Sequence, residues 1–441
     1  MDHTPEAPLP TDTPAARWPS LAGDRAPGRA LFTSRSAWAV LALALVLRLA
    51  WGLAVPVIPD SDPAAYDTFA RQIASGGTYG WTPGEKSAVW PPGTSAIYAL
   101  AYRAMGPGAP AVVLVNVVAG MGVVLVSMLL ADRLLGRRAA LLTGLLLAAW
   151  PVHVQFTTII ASEIHFTLFT LGGALSYLAL RDRFWLNIVV SGVVFAIAAY
   201  IRPTALLVPV VLAGLDFLWN ARRGRTFVMA ALLGLVIAAC LAPWSVRNTR
   251  HFGQFVAIST NGGANLWMGN NPSTTGFYQP WPDPAGRNEA QLNADMGREA
   301  RDYILKEPVK FLTRTLYKLA RLHERQTIGV GWNEQGLTKI AGAKALTPLK
   351  ALSTLYWLGA AALGAIGVVV LAARGGVLAA GCHPLVVLWA YFAIVHAVIV
   401  IQDRYIYPAT PVIGALAAVT LLAALDRFAT RRGASSPRPA A

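Results

Sequence analysis

Two carboxylates, Asp60 and Asp62, stand directly after an apolar run from Ala37 to Ile58 that only Arg48 interrupts. Charge is costly to keep near hydrocarbon, so an acidic pair at the mouth of a membrane span marks a functional site open to one aqueous compartment. A third acid, Glu163, follows Ser162 at the start of another apolar run, just beyond the Trp150-Pro151 break. On insertion scales an unpaired carboxylate there costs about 2.5–3.5 kcal/mol, so it must face the bundle or a wet cavity. Acids so placed can take a proton, orient a hydroxyl or hold a divalent ion. Structural roles are open to them as well: Asp62 as a helix N-cap, Glu163 as the partner of an arginine such as Arg202. His165 points to a different helix face from Glu163. Asp60, Asp62, Glu163 and His165 together would make an oxygen-rich site with one imidazole, suited to magnesium, manganese or zinc. No dense His/Cys ligand spacing accompanies it, and the sequence requires no cofactor.

The elements that position these residues are membrane helices. Of 441 residues 55% are hydrophobic and 13% charged, against about 25% charged in soluble domains, and the mean hydropathy is +0.49. An all-α polytopic membrane protein follows. Spans of about 20 apolar residues are expected at 37–56, 110–131, 138–151, 162–180, 184–201, 203–219, 226–243, 348–373, 384–401 and 405–425, ten in all. Arginines gather in alternate short loops: Arg133, Arg137 and Arg138; Arg181 and Arg183; Arg222, Arg223 and Arg225; Arg374; and Arg427, Arg431 and Arg432. Retention of basic loops in the cytoplasm then places both termini inside and the long connections 57–109 and 244–347 outside. In a bacterium that means the inner membrane, with the site on its periplasmic face. One transmembrane domain, 37–430, is expected between a disordered cytoplasmic tail, 1–36, and a short tail, 431–441.

The net charge of +15 sits largely in those loops, where topology and anionic lipid account for it; the bilayer is the expected partner and nucleic acid is not. Cys240 and Cys382 lie in or beside spans and imply no disulfide framework.

In the first connection, Pro63 suits a first helical position with Asp62 capping it. Tyr66, Phe69, Ala70, Ile73 and Ala74 share one face of that helix, as in a short helix lying on the bilayer. Trp90-Pro91-Pro92-Gly93 then resets the chain before a second helix over 96–105. In the second connection Lys310, Arg314, Lys318, Arg321 and Arg325 recur opposite Leu312, Leu316 and Leu319. That spacing predicts a basic amphipathic helix whose charges meet headgroups or clamp a phosphate.

The series Asp62, Tyr66, Ala70, Gly77 and Pro91-Pro92-Gly93 resembles the C-type membrane glycosyltransferases, in the bacterial branch related to protein O-mannosyltransferases and lipid A aminoarabinose transferase. The resemblance continues through Ser162–Phe169, Arg202-Pro203-Thr204, Pro243–Asn248, Ser259–Gly263, Gly269–Pro272 and Arg404–Pro408. It implies transfer of a sugar from a polyprenyl-phosphate donor to a hydroxyl of an envelope acceptor (lipid, glycan or protein), usually with inversion. It also implies Asp62 as general base, supported by Asp60 or Glu163, and donor phosphate held by Arg202, Arg247 and Arg404, whose guanidinium forks suit phosphate. Tyr66, Trp90, Asn261, Trp267 and Tyr405 are the expected substrate contacts, with Tyr98, Tyr278 and Trp281 as further aromatic candidates. The extra acid Asp60 departs from the family pattern, as does Lys86, displaced from the basic position before the Pro-Pro pair. Two other classes stay open: a transporter or flippase of lipid-linked sugars, and a non-catalytic subunit of an envelope complex.

Overall fold

The computed structural model describes residues 29–219 and 223–434. Arg222 and most of both expected tails lie outside the described residues. Of the expected N-terminal tail, the described part includes a short helix, Arg29–Phe32, whose Leu31 is buried in the main core.

Helix occupies all ten expected span positions. Among the described residues six helices are long and apolar enough to cross a membrane: Arg35–Ala54, Ala109–Leu135, Phe184–Ile201, Arg223–Phe252, Ala343–Gly375 and Asp403–Thr430. A seventh candidate is the pair Arg137–Ala149 and Pro151–Thr158, bent by 58°. Proline cannot donate to the preceding turn, so the span expected at 138–151 breaks at Trp150-Pro151 and runs on past its expected end. Ser162–Ala179 carries too many polar side chains in its first turns to count, and Pro203–Trp219 and Pro384–Val398 are too short.

Small residues set the helix packing, as they do where hydrocarbon offers helices no hydrophobic drive to associate. Ala109–Leu135 packs against Arg35–Ala54, Arg137–Ala149 and Ser162–Ala179. A Cβ on Gly120 would stand 2.8 Å from the Arg48 Nε, so the bare glycine makes room for that buried arginine. Arg48 in turn donates to the carbonyls of Ala44 (3.0 Å) and Leu147 (3.4 Å). The long helices Leu346–Gly375 and Thr410–Ala434 pair closely, with Gly367 against the Leu416 carbonyl.

The two long connections fold onto one another. Asp62–Ala74 buries Tyr66 and Ala70 against Gly93–Met105, where Tyr98, Ala99 and Tyr102 form the opposing face, and Phe69 against Tyr79 and Val89. The face expected to lie on the bilayer is thus taken up by protein. Glu289, at the start of the helix Glu289–Lys306, accepts from Ser87 Oγ (2.8 Å), the Ala88 amide (2.5 Å) and Thr260 Oγ1 (3.1 Å). This one carboxylate fastens the second connection to the first.

Pro308–Leu322 is the expected amphipathic helix, turned the other way. Lys318 is fully buried and donates to the carbonyls of Gly269, Val398 and Ile399 at 3.1–3.3 Å. Arg314 donates to the Asn271 carbonyl at 3.0 Å. Leu312 and Leu316 are more than half exposed. Backbone carbonyls left open in the irregular segments around Asn270 and Ile399 draw Lys318 and Arg314 inward, while Lys310 stays exposed, Leu312 and Leu316 face out, and Leu319 and Leu322 pack on the main core.

Candidate functional site

Asp62 begins its helix. Ser61, not Asp62, holds the N-cap position and makes no side-chain cap bond. Its backbone, at φ 57° and ψ −130°, lies in a region that glycine prefers, and Asp60 Oδ1 accepts its amide at 2.8 Å. This sharp turn aims the Asp62 side chain at the 3-10 turn Asp403–Ala409, where Arg404 Nη2 donates to Asp62 Oδ2 at 2.6 Å. Asp62 Oδ1 has no hydrogen-bond partner among the described residues.

Glu163 is fully buried. Arg202 Nη2 donates to its Oε1, and Arg404 Nε stands 3.7 Å from the same oxygen. Arg202 Nε also donates to Ser162 Oγ at 2.8 Å. Two acids from different helices are therefore joined through two arginines. Pro203 ends the helix Phe184–Ile201 and sets Arg202 in extended backbone, from which its side chain reaches back to Ser162. Aromatic faces hold the guanidiniums in plane: Arg404 lies 4.6 Å from the Trp332 ring centre, and Arg202 5.5 Å from that of Tyr405. Cation–π contacts of this kind, partly desolvated, fix an arginine without using its donors.

Asp62, Arg202, Trp332, Arg404 and Tyr405 form part of the wall of a cavity of about 780 Å³ that both connections line, while Glu163 and Ser162 are not on its lining. Asp62, Tyr66, Trp90, Arg202, Asn261, Arg404 and Tyr405 all face it, so seven of the residues chosen from sequence converge. Tyr66 sits one turn beyond Asp62; burial pushes its phenol up, opposed by Arg202.

Tyr278 and Trp281 line the cavity as well, whereas Asp60, Tyr98, His165, Arg247 and Trp267 do not. Asp60 is exposed and does not line the cavity. Arg247 donates to the carbonyls of Ser87 (2.7 Å) and Tyr79 (3.3 Å) and stacks on Trp244 at 4.5 Å. It braces the first connection from outside the cavity. Trp267 packs in a small cluster with Ala264, Leu292 and Met296 and is not on the lining. His165 turns its Nδ1 to the Ala161 carbonyl and its ring edge to Tyr98.

The residues considered for a divalent ion, Asp62, Glu163 and His165, therefore do not converge. Both acids are engaged by guanidinium groups, and no cluster of three or more His, Cys, Asp or Glu placed to hold a metal ion occurs among the described residues. With both acids held by guanidiniums, the arrangement does not fit a metal.

Sequence reasoning missed Trp332 and Trp81, which line the cavity, and Ser162 as a partner of Arg202; Asn265, also on the lining, lies in the Asn- and Gly-rich run 261–271, whose amides suit a sugar. Trp332 sits in Gly-Trp-Asn, far in sequence from Arg404, with no local signal of its role. Ser162 carried a signal, since a hydroxyl beside a buried acid needs a partner.

Residues 89–246 match the family dolichyl-phosphate-mannose-protein mannosyltransferase. No protein of curated function matches the sequence. Among solved structures, ArnT from Cupriavidus metallidurans bound to undecaprenyl phosphate is similar at 17% identity and TM-score 0.56, over 88% of this chain and 60% of that one. The Archaeoglobus fulgidus oligosaccharyltransferase in complex with zinc and sulfate is similar at 15% identity and TM-score 0.55, over 89% of this chain and 50% of that one. This chain thus spans between half and two thirds of the length of these neighbours.

Proposed function

We propose that this multi-pass membrane protein, which has the C-type membrane glycosyltransferase fold, moves a sugar from a polyprenyl-phosphate donor to a hydroxyl of a cell-envelope acceptor. One observation carries the reading: an acid with one free oxygen, Asp62, stands in the same cavity as two arginines, Arg202 and Arg404, both braced on aromatic rings. That pairing suits a reaction in which an alcohol loses a proton while a phosphate departs. The likeness of the fold to an ArnT bound to undecaprenyl phosphate supports a polyprenyl phosphate as the leaving group.

In this reading the acceptor hydroxyl approaches Asp62 Oδ1 while Arg404 holds Oδ2 and fixes the plane of the carboxylate. The acceptor oxygen attacks the anomeric carbon, its proton passes to Oδ1, and the bond from that carbon to the phosphate oxygen breaks. Polyprenyl phosphate leaves with the bonding pair, and its new charge is met by Arg202 and Arg404. A single displacement of this kind inverts the anomeric centre. Glu163 holds Arg202 and Arg404 on one side of the site through its Oε1. General-base help of the kind assigned to Asp62 contributes about 10²–10⁴-fold. By this account the cavity opens on the periplasmic face of a bacterial inner membrane, where lipid-linked sugars meet envelope acceptors.

The test is transfer from a panel of polyprenyl-phosphate sugars by the purified protein in lipid, compared with Asp62→Asn. Wild-type transfer that drops at least 100-fold in Asp62→Asn is expected. Equal rates in the two proteins would overturn the base assignment, and vectorial movement of the donor without transfer would overturn the enzyme.

A further inference from the structure

The cavity has a second chemistry away from its acids. From Tyr66, one turn past Asp62, ring contacts lead to Trp90 (6.3 Å between centres) and from Trp90 to Trp81 (5.3 Å). Trp81 stays 42% exposed and Tyr278 62% exposed, while both line the cavity together with Trp281. Both connections contain apolar clusters in which such rings are buried, so two large rings left open toward a cavity keep their faces for something else.

The polar groups between them are amides with bonding capacity to spare. Asn265 has no side-chain hydrogen bond among the described residues, and Asn261 spends only its Oδ1, accepting from Ser259 at 2.9 Å. An amide offers donors and acceptors at once, which matches a row of hydroxyls better than it matches a phosphate.

Charge at this end is already consumed. Glu289 holds its three partners in the two connections. Arg287 donates to the carbonyls of Pro284 (2.8 Å) and Asp283 (3.0 Å) and pairs with Asp295 at 3.2 Å. Among the lining residues an anionic ligand would meet one guanidinium here, Arg287, beside the Glu289 carboxylate, against two at the Arg202–Arg404 end. Exposed ring faces, free amides and spent charges together describe a surface for a neutral pyranose or furanose ring: its C–H face lies on the electron-rich face of an aromatic ring, and its hydroxyls meet the amides.

We propose that Trp81, Tyr278, Trp281, Asn261 and Asn265 form a subsite for a neutral saccharide, and that the acceptor is therefore a glycan. The assignment to the acceptor rests on the transferase reading, which places the donor phosphate at Arg202 and Arg404 and its sugar beside Asp62. The subsite itself rests only on the cavity.

Saturation-transfer NMR on the full chain in nanodiscs tests it, with maltotriose, mannotriose and arabinotriose as probes beside a Ser/Thr-containing hexapeptide and a trisaccharide ending in glucuronate. At least one neutral trisaccharide is expected to bind the wild type. It should weaken about tenfold or more in Trp81→Ala and in Asn265→Ala, and recover in Trp81→Phe. Asn265→Ala keeps the test valid should Trp81→Ala fail to fold. Absence of neutral-sugar binding, binding indifferent to both alanine variants, or tighter binding of the peptide or the glucuronate sugar would overturn the subsite. Donor transfer to the peptide would overturn the glycan acceptor while leaving the transferase intact. Saccharide binding without transfer to any acceptor would overturn the transferase and leave the subsite standing.

Discussion

Asp62 gives one oxygen to Arg404 and keeps the other open, so Arg404 serves as both a clamp on the base and a ligand for charge. Lysine would keep the charge but lose the planar fork that reaches Asp62 while facing Glu163. Arg404→Lys is expected to fold normally and to lower kcat by about two orders of magnitude, read by transfer rates beside thermal melts. Glu163 poses a stability question as well. Removing Arg202 strips the nearer cation from a fully buried acid, and breaking such a pair costs about 3–5 kcal/mol. Arg202→Met should therefore unfold at clearly lower denaturant, and Arg202→Met combined with Glu163→Gln should recover much of the loss; additive losses in that cycle would refute the coupling. Ser61 carries backbone strain of about 1–3 kcal/mol. Ser61→Gly is expected to raise the melting temperature while loosening the aim of Asp62, so kcat should fall as stability rises.

At the scale of elements, the helix Pro308–Leu322 is the clearest departure from expectation. Its charge pattern was plain, but the pattern does not say which face meets protein. Open carbonyls at Gly269, Val398 and Ile399 decide that, and they come from segments 49 to 81 residues away from Lys318. Burial, then Arg314, pushes the Lys318 amine down from 10.5 to about 7. Between those values the unfolded chain holds a proton that the folded chain has shed, so unfolding takes up a proton and stability rises with pH across that window. Thermal melts from pH 7 to 9.5 should climb for the wild type, and the climb should be shallower in Lys318→Met. The same junction depends on Gly269, where a Cβ would stand 1.7 Å from the Ile399 carbonyl oxygen. Gly269→Ala must move one segment or the other, and a loss of activity larger than that of an alanine at nearby Gly262, which has open space, would register it.

For the whole molecule, the basic loops do collect at a common end. Arg138 pairs with Asp426 at 2.9 Å, Arg225 donates to the Arg181 carbonyl at 3.2 Å, and Arg133 donates to that of Leu178. Charged residues from four loops thus lie together, as a positive-inside arrangement requires. If that end is cytoplasmic, Ser259→Cys should react with an impermeant thiol reagent added to intact cells from outside. Reaction only after permeabilisation would reverse the orientation and move the cavity to the cytoplasm.

Sequence alone pointed to a membrane protein, to where its helices fall, and to Asp62, Glu163, Arg202 and Arg404 among a wider set of site candidates that also held Asp60 and Arg247. Hydrocarbon makes those inferences strong, because apolar runs must be long and each charge within them must have a reason. The tertiary structure decided which candidates actually meet. Arg247 and Trp267 look from sequence like Arg404 and Trp90, yet one braces the first connection and the other packs in a small core. It also brought in Trp332 and Trp81, which no local pattern marks, and picked Asn265 out of the Asn- and Gly-rich run 261–271. Which side chain faces the cavity depends on how two connections of irregular backbone satisfy their carbonyls on one another, and those partners lie far apart in the chain.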